Sequence, residues 1–419
     1  MTGAKHAGLP VCAVDRAGYP ACMQIRTLIA DELNALKAFR RDLHQHPEIC
    51  YEEVRTASQI RAALTDAGVS FVSGLAGGTG TLAYIDGAAP RAVALRTDID
   101  ALAIHEVSGK PWSSKIPSRM HACGHDGHTT IMIGAARVLA KLAASGTLPN
   151  PVTMLFQPAE EGGAGGKRMV EDGALDGSKI GKPVRRIYGL HGWPGLPRGT
   201  LSTKKGALFA SSDRFEINVT GYAAHAAWPH HGRDPVLAAS AIVVALGQIL
   251  SREIDPLDAA VVSTTMIHGG TASNQIPDRV ELAGTARALR HSTQDLLEHR
   301  ITEIAQSIAR AHRCEAQTVY LRGYPVTHNE DASVDAFERI ARASFGTSRV
   351  VPMEVPVMGG EDFAFYAQKV PSCFYLLGLD EPEAPSAKLH HPTFDFNDDA
   401  IPVGVEAMVR LALEDAENA

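Results

Sequence analysis

Four short apolar runs in this chain each end on residues that hold metals or move protons, and that arrangement narrows the folds open to it. Ala92–Arg96 runs into Asp98 and Asp100, and Val152–Gln157 into Pro158, Ala159, Glu160 and Glu161. Arg186–Leu190 runs into His191, and Cys373–Leu379 leads by a loop to His390, His391 and Pro392. Runs of this length without polar alternation read as strands buried on both faces. Helical patterns separate them. Leu28, Ile29, Leu33, Leu36, Phe39 and Leu43 recur at helical spacing between Ile25 and His46, and Pro47 stops the pattern. Further helices are expected over 56–67 and 126–144. The alternation predicts an α/β fold, with a mixed, mostly parallel sheet covered by helices on both faces. Ligands collect beyond the carboxyl ends of strands in such sheets, so one sheet edge would gather all four polar clusters.

Between Ser211 and Tyr320 the texture changes. Phe215, Ile217 and Val219 alternate with polar residues. A helix over 235–251, strands over 261–266 and 280–288, a helix over 293–312 and a strand over 316–320 follow. That order, β-α-β-β-α-β, is a ferredoxin-like α+β unit. A chain of 419 residues exceeds the ~250–300 that one core usually serves. The expected division is an N-terminal extension over 1–26, a catalytic domain in two parts over 27–210 and 323–419, and an inserted lid or dimerisation domain over 211–322. Met23, just before the first helical pattern, competes with Met1 as the natural start.

Charge and composition restrict the partners. A net charge of -7 without a Lys/Arg-dense stripe argues against nucleic acid. No apolar run near the ~20 residues of a spanning helix is evident, which argues against a membrane. Six cysteines scattered over the chain form no disulfide framework, and residues 1–26 lack the apolar centre of a secretory leader. A cytoplasmic enzyme acting on a small molecule fits best.

The densest cluster is His121-Ala122-Cys123-Gly124-His125-Asp126-Gly127-His128. Cys123 and His125 cannot share a helix face, but in a glycine-containing loop before a helix both can reach one metal. A thiolate with an imidazole suits zinc and other late divalent ions. The alternative is an inert buried cysteine beside helix-start histidines, and the other strand ends weigh against it. His121 and His128 are read as supporting rather than ligating. Glu160 and Glu161 point opposite ways in extended chain, so one carboxylate can bind metal while the other stays free as a base. His44 and His46, in the last turn of a helix, are read as structural complements to its dipole.

The motifs occur in a recognisable order: Leu43-His44-Gln45-His46-Pro47-Glu48, Arg96-Thr97-Asp98-Ile99-Asp100, the Cys123-Gly124-His125 cluster, Gln157-Pro158-Ala159-Glu160-Glu161-Gly162 and Leu190-His191-Gly192-Trp193-Pro194. Ala224-His225-Ala226, Gly269-Gly270-Thr271-Ala272-Ser273-Asn274, Gly359-Gly360-Glu361-Asp362-Phe363 and His390-His391-Pro392 follow. From about Leu28 onward the chain resembles the dinuclear-metal aminoacylase and carboxypeptidase superfamily. Within it the chain is similar to the amidohydrolase branch of hippurate hydrolases, bacterial N-acyl-amino-acid amidohydrolases and plant auxin-conjugate hydrolases.

The resemblance implies two divalent ions per subunit (Zn, Mn, Co or Ni), with Cys123 bridging and His125, Glu161, His191 and His390 completing the sites. It implies Glu160 as catalytic base. Asp98, where the wider superfamily has a His-x-Asp ligand motif and this chain Arg96-Thr97-Asp98, is expected to orient a ligand imidazole. His225 is expected to stabilise the oxyanion, from its own or a partner subunit, while Asn274 and Arg287 suit a substrate carboxylate and Gly360 lines the substrate site. The implied reaction is hydrolysis of an N-acyl amino acid to a carboxylic acid and a free amino acid, in a homodimer or homotetramer. A dipeptidase or carboxypeptidase, an N-carbamoyl-amino-acid hydrolase, a metal-holding protein without turnover and a redox sensor built on Cys123 are the competing readings. The free carboxylate of Glu160 speaks against mere storage, and no resolving cysteine lies near Cys123.

Overall fold

The computed structural model describes residues 22–415. Its largest element is an eight-stranded sheet in the order Ser70–Leu75, Gly80–Ile85, Val152–Gln157, Ala92–Asp98, Val184–Pro197, Ser372–Asp380, Leu201–Thr203, Val350–Pro352. Four of its neighbouring pairs are parallel, so the sheet is mixed and mostly parallel, as the uninterrupted apolar runs require. Every residue of Ala92–Asp98 and Val152–Gln157 is buried. Successive side chains serve opposite faces. Val93, Leu95, Met154 and Phe156 join one core with Leu36, Ile131, Leu139 and Val405 from three helices. Ala94 and Leu155 join the core on the other face with Phe363, Tyr366 and Phe374.

The helices on the first face are Cys22–Gln45, His125–Ser145 and Ile401–Glu414. The first begins at Cys22, so residues 22–26 lie in it rather than in an extension; the remainder of that expected extension, residues 1–21, lies outside the described residues. Periodicity alone overlooked the edge strand Ser70–Leu75, the helices Asp331–Phe345 and Ile401–Glu414, and the three-residue strands.

The second sheet has four antiparallel strands in the order Ala260–Gly269, Arg279–Ala288, Ser212–Thr220, Glu315–Tyr324. Two helices, Pro235–Gln248 and His291–Ala311, pack on it, giving the β-α-β-β-α-β order. Phe215, Ile217 and Val219 are buried at alternate positions and form a separate core with Ile242, Leu246, Leu297 and Ile301. Asp234 caps the first helix, accepting from Val236 N (2.8 Å) and Leu237 N (3.2 Å), with Pro235 at the first position. Pro235–Glu253 is, among the described residues, the one helical stretch long and apolar enough to cross a membrane, contrary to the expectation that no apolar run approaches that length. About a third of it is buried, against this second sheet. The chain crosses between the two sheets at Ala210–Ser212 and again at Gly323–Pro325.

Candidate metal centre

Three local features bring the ligand-type side chains together. Gly124, between Cys123 and His125, takes φ 90°, a left-handed conformation that glycine adopts without strain, and this turn lets residues two apart face one point at the start of helix His125–Ser145. Ala159, also left-handed at φ 57°, ends the strand Val152–Gln157 and turns Glu160 and Glu161 into the site. His191 lies inside a strand rather than at its end, since Val184–Pro197 continues against Ser372–Asp380. On its other side, however, the pairing with Ala92–Asp98 stops at Gly189, so His191 sits just past that neighbour's last paired residue.

Ligand atoms of Cys123, His125 and His191 lie within 4.8 Å of one another, as do those of Cys123, Glu161 and His390, and those of His125, Glu160 and Glu161. Cys123 belongs to two of these groups, which is what a sulfur shared by two ions needs. Cys123 Sγ is 3.3 Å from His191 Nε2, and Glu161 Oε1 is 3.3 Å from His390 Nε2. Two ligands at about 2.0–2.3 Å from one tetrahedral ion stand roughly 3.3–3.7 Å apart, so the spacing fits a cation.

The second nitrogen of each buried ligand imidazole, His125 and His191, is accounted for, whereas buried His121 has no hydrogen-bond partner at either nitrogen. His125 Nδ1 faces Asp100 O (2.9 Å) and Oδ1 (3.2 Å), and so must carry the proton. Its Nε2 then presents a lone pair and, although buried, has no hydrogen-bond partner. A polar atom left so costs about 1–3 kcal/mol unless a ligand takes it. His191 Nδ1 donates to Gly192 O (2.8 Å), which likewise turns its Nε2 lone pair toward Cys123.

The electrostatics suit a cationic guest. Burial pushes the Cys123 thiol well above its usual range, and Glu161, Glu160 and Asp98 push it further. Burial and then Glu361 and Glu161 hold the Glu160 carboxyl well above the carboxylate range. Burial and His128 keep His191 neutral, the form that ligates. Burial opposes charge on His125, but Asp98 and Asp100 outweigh it and raise that imidazole to about 10. Divalent charge placed here would offset the acidic excess.

Orienting His125 by hydrogen bonding falls to Asp100, whose Oδ2 also accepts from Glu161 N at 2.9 Å. Asp98, expected in that role, stands 3.8 Å from His125 Nε2 and binds His128 Nδ1 (2.7 Å) and Arg96 Nη1 (2.9 Å) instead. His128 Nε2 accepts from Gly192 N at 2.7 Å, so both its nitrogens are engaged in support. His391 pairs with Thr393 Oγ1 (2.8 Å) and belongs to none of the groups, whereas His390 does. His44 is structural through a different partner from the helix dipole: its Nδ1 meets Asp126 at 2.8 Å.

None of the second-sheet residues belongs to these ligand groups. His225 and Asn274 are exposed on neighbouring chains of a small ladder, where Ala224–His225 pairs with Gln275–Ile276 and Ala226 N donates to Asn274 O (2.9 Å). Arg287 is half-buried, with Nη1 donating to Ala286 O (3.1 Å) and to Thr285 Oγ1. Gly360 packs where the chain crosses between sheets; a Cβ there would meet Ser212 Cβ at 2.8 Å. No hydrogen bond or ion pair among the described residues joins these four to the cluster. Beyond the expected set, Glu53 holds Ala159 N through Oε1 (2.9 Å), and Glu361 and Asp362 approach Glu160. Glu53 carries no local signal for this role; Glu361 and Asp362 sit in the Gly359-Gly360 motif.

The sequence pattern of peptidase family M20/M25/M40 matches residues 94–414. The Arabidopsis thaliana IAA-amino acid hydrolase ILR1-like 2 is 39% identical over 381 residues, which cover 90% of this chain and 84% of that protein. The N-acetylcysteine deacetylase of Bacillus subtilis (strain 168) is 37% identical over 375 residues, 89% of this chain and 95% of its own. Among solved structures, the Bacillus subtilis YXEP protein, described as a dinuclear metal binding peptidase from the M20 family, superposes with a TM-score of 0.80 at 34% identity over 93% of this chain and 99% of that one. The pattern spans most of the chain, and relatives above 30% identity are matched nearly end to end, so this chain belongs to peptidase family M20/M25/M40 and is one of its amidohydrolases.

Proposed function

We propose that the chain hydrolyses the amide bond of N-acyl amino acids, releasing a carboxylic acid and a free amino acid. The observation that carries this reading is Glu160, a carboxylate within 4.8 Å of the ligand atoms of His125 and Glu161 that is not needed to complete the Cys123 groups. The two relatives above are named for conjugates of an amino acid, which supports the same substrate class.

Cys123, His125, Glu161, His191 and His390 would hold two divalent ions of the Zn, Mn, Co or Ni class, which when bound supply Lewis acidity and lower the pKa of water towards ~7. Glu160 takes the proton of the attacking water and returns it to the leaving amine. Burial and the neighbouring carboxylates raise its pKa, and two cations beside it would draw it back down, towards the range in which one group can both take and return a proton. Asp100 keeps His125 in the ligating tautomer, while Asp98 and His128 fix the backbone at Gly192 beside His191. His225, from its own or a partner subunit, donates to the oxyanion, and Asn274 and Arg287 take the substrate carboxylate. Reaching the centre requires the inserted unit to close over it, which also excludes water. Leu237 and Val244 on its first helix and Met266 and Ile267 on its edge strand are exposed apolar side chains that a second copy would cover in a homodimer. We place the enzyme in the cytoplasm.

The test is a panel of benzoyl-glycine, acetyl-amino acids, dipeptides and carbamoyl-amino acids on protein reconstituted with Mn²⁺. The acyl amino acids should show the highest kcat/KM. Faster turnover of dipeptides or carbamoyl-amino acids would replace the reading, and no turnover of any of them would end it.

A further inference from the structure

The turn that presents Glu160 and Glu161 is backbone under tension, with non-glycine residues at positive φ on either side: Ala159 at 57° and Ala164 at 55°. Such conformations cost energy and persist only when surrounding contacts enforce them. Three of the contacts come from the large sheet's own domain. Glu53 Oε1 accepts from Ala159 N (2.9 Å), Asp100 Oδ2 accepts from Glu161 N (2.9 Å), and Tyr51 OH donates to Gly163 O (2.6 Å). Two more come from elsewhere. Tyr324 OH donates to Glu160 O and accepts from Ala164 N (3.2 Å), gripping both ends of the turn.

Tyr324 is the last residue of the strand Glu315–Tyr324 in the second sheet. It pairs with Ser212, the first residue of the strand Ser212–Thr220, so the two chain crossings meet at this one pair. There is no slack around it. A Cβ on Gly323 would stand 2.0 Å from Ser212 O, and one on Gly360 would stand 2.8 Å from Ser212 Cβ and 3.5 Å from Tyr324 Cδ2. Tilting the second sheet about its crossings therefore moves the Tyr324 ring, and the ring is bonded to the turn that carries the base.

We propose that Tyr324 is a positioning residue that couples the orientation of the inserted sheet to the placement of the Glu160 carboxylate. This rests on the reading of Glu160 as base and of the insert as a closing lid. Closure would move the Tyr324 ring, and with it the turn that carries the base, so that the tilt of the inserted sheet adjusts where the carboxylate stands.

Two variants of the metal-loaded full chain test it. Tyr324→Phe removes the hydroxyl; Gly323→Ala wedges the crossing without touching it. Both should lower kcat on acetyl-amino acids about tenfold while KM stays within about twofold and bound Mn²⁺ is unchanged. Hydrogen–deuterium exchange supplies a readout independent of turnover: the peptide 159–166 should exchange faster in both variants than in wild type, Gly323→Ala acting from a distance. Unchanged exchange at 159–166 in Gly323→Ala overturns the coupling whether or not the wild type hydrolyses acyl amino acids. A kcat loss matched by lost metal, or wild-type kcat in both variants, overturns it as well. Inactivity of the wild type across the panel counts against the proposed reaction alone.

Discussion

Replacing Arg96 by Met is expected to destabilise the protein by about 3–5 kcal/mol, the usual cost of removing one member of a buried ion pair. Arg96 is fully buried among acids. Its Nη1 donates to Asp98 Oδ2 (2.9 Å), its Nη2 to Asp362 Oδ1 (2.8 Å) and lies 3.1 Å from Glu361 Oε1, and its Nε donates to Gln157 Oε1 (2.8 Å). One guanidinium thus serves three acidic side chains and an amide, all left without their donor by its removal, which places the loss toward the upper end of that range. With an unfolding entropy of about 2.1 cal/mol/K per residue over 419 residues, the midpoint should fall by about 3–6 °C. Arg96→Lys keeps a charge but not the planar fork, and should fall between. The pH dependence has a definite sign. Burial raises Glu361, and raises Asp362 to about 8, against the opposing pull of Arg96. Between the unfolded value of 3.8 and about 8 the native state therefore holds a proton at Asp362 that the unfolded chain has lost, and this contribution to stability declines as pH rises. Without Arg96 both carboxyls move higher, so the variant keeps the Asp362 proton after the wild type starts to lose it near 8, and the deficit of the Met variant widens from pH 7 to pH 9. Thermal unfolding of chelated protein at the two pH values measures it. A Met variant as stable as wild type at pH 9, or a deficit larger at pH 7, would refute the reasoning.

Two further substitutions probe the scaffold. His44 is raised to about 9, because Asp126 outweighs the effect of burial; its stabilisation is present below about 6.5 and lost as pH rises through about 9. His44→Asn should flatten that part of the stability profile, and equal slopes for wild type and variant in thermal unfolding between pH 6 and 9.5 would count against the ion pair. Gly127→Ala should destabilise by about 1–3 kcal/mol despite alanine's better helix propensity, because its Cβ would lie 2.4 Å from Phe396 Cγ. A higher melting temperature for that variant would contradict the packing.

What was legible in the sequence is what local patterning controls. Ala92–Asp98 and Val152–Gln157 announce themselves as uninterrupted apolar runs, and their polar ends converge because parallel strands share a carboxyl edge. The alternation at Phe215, Ile217 and Val219 marks the second sheet just as directly. Contacts between distant segments leave no local trace. Arg96 and Asp362 are 266 positions apart, and Tyr324 and Glu160 are 164 apart. Asp98 and Asp100 were legible as a strand-end pair, but which of them orients His125 depends on the turn after the strand, and that role went to Asp100. The start of the first helix at Cys22 was hidden because Met23 and Gln24 do not extend the apolar stripe beyond Ile25.

The measurement that bears most directly on the central claim is the turnover of wild type and Glu160→Gln on an acetyl-amino acid, each after chelation and reloading with Mn²⁺, with bound metal counted in the same samples. The account predicts that both proteins take up two ions, that chelated wild type is inactive and recovers on reloading, and that the Gln variant loses about 10²–10⁴-fold in kcat with its metal intact. Wild-type kcat in metal-loaded Glu160→Gln, or full activity of the chelated protein, would contradict it.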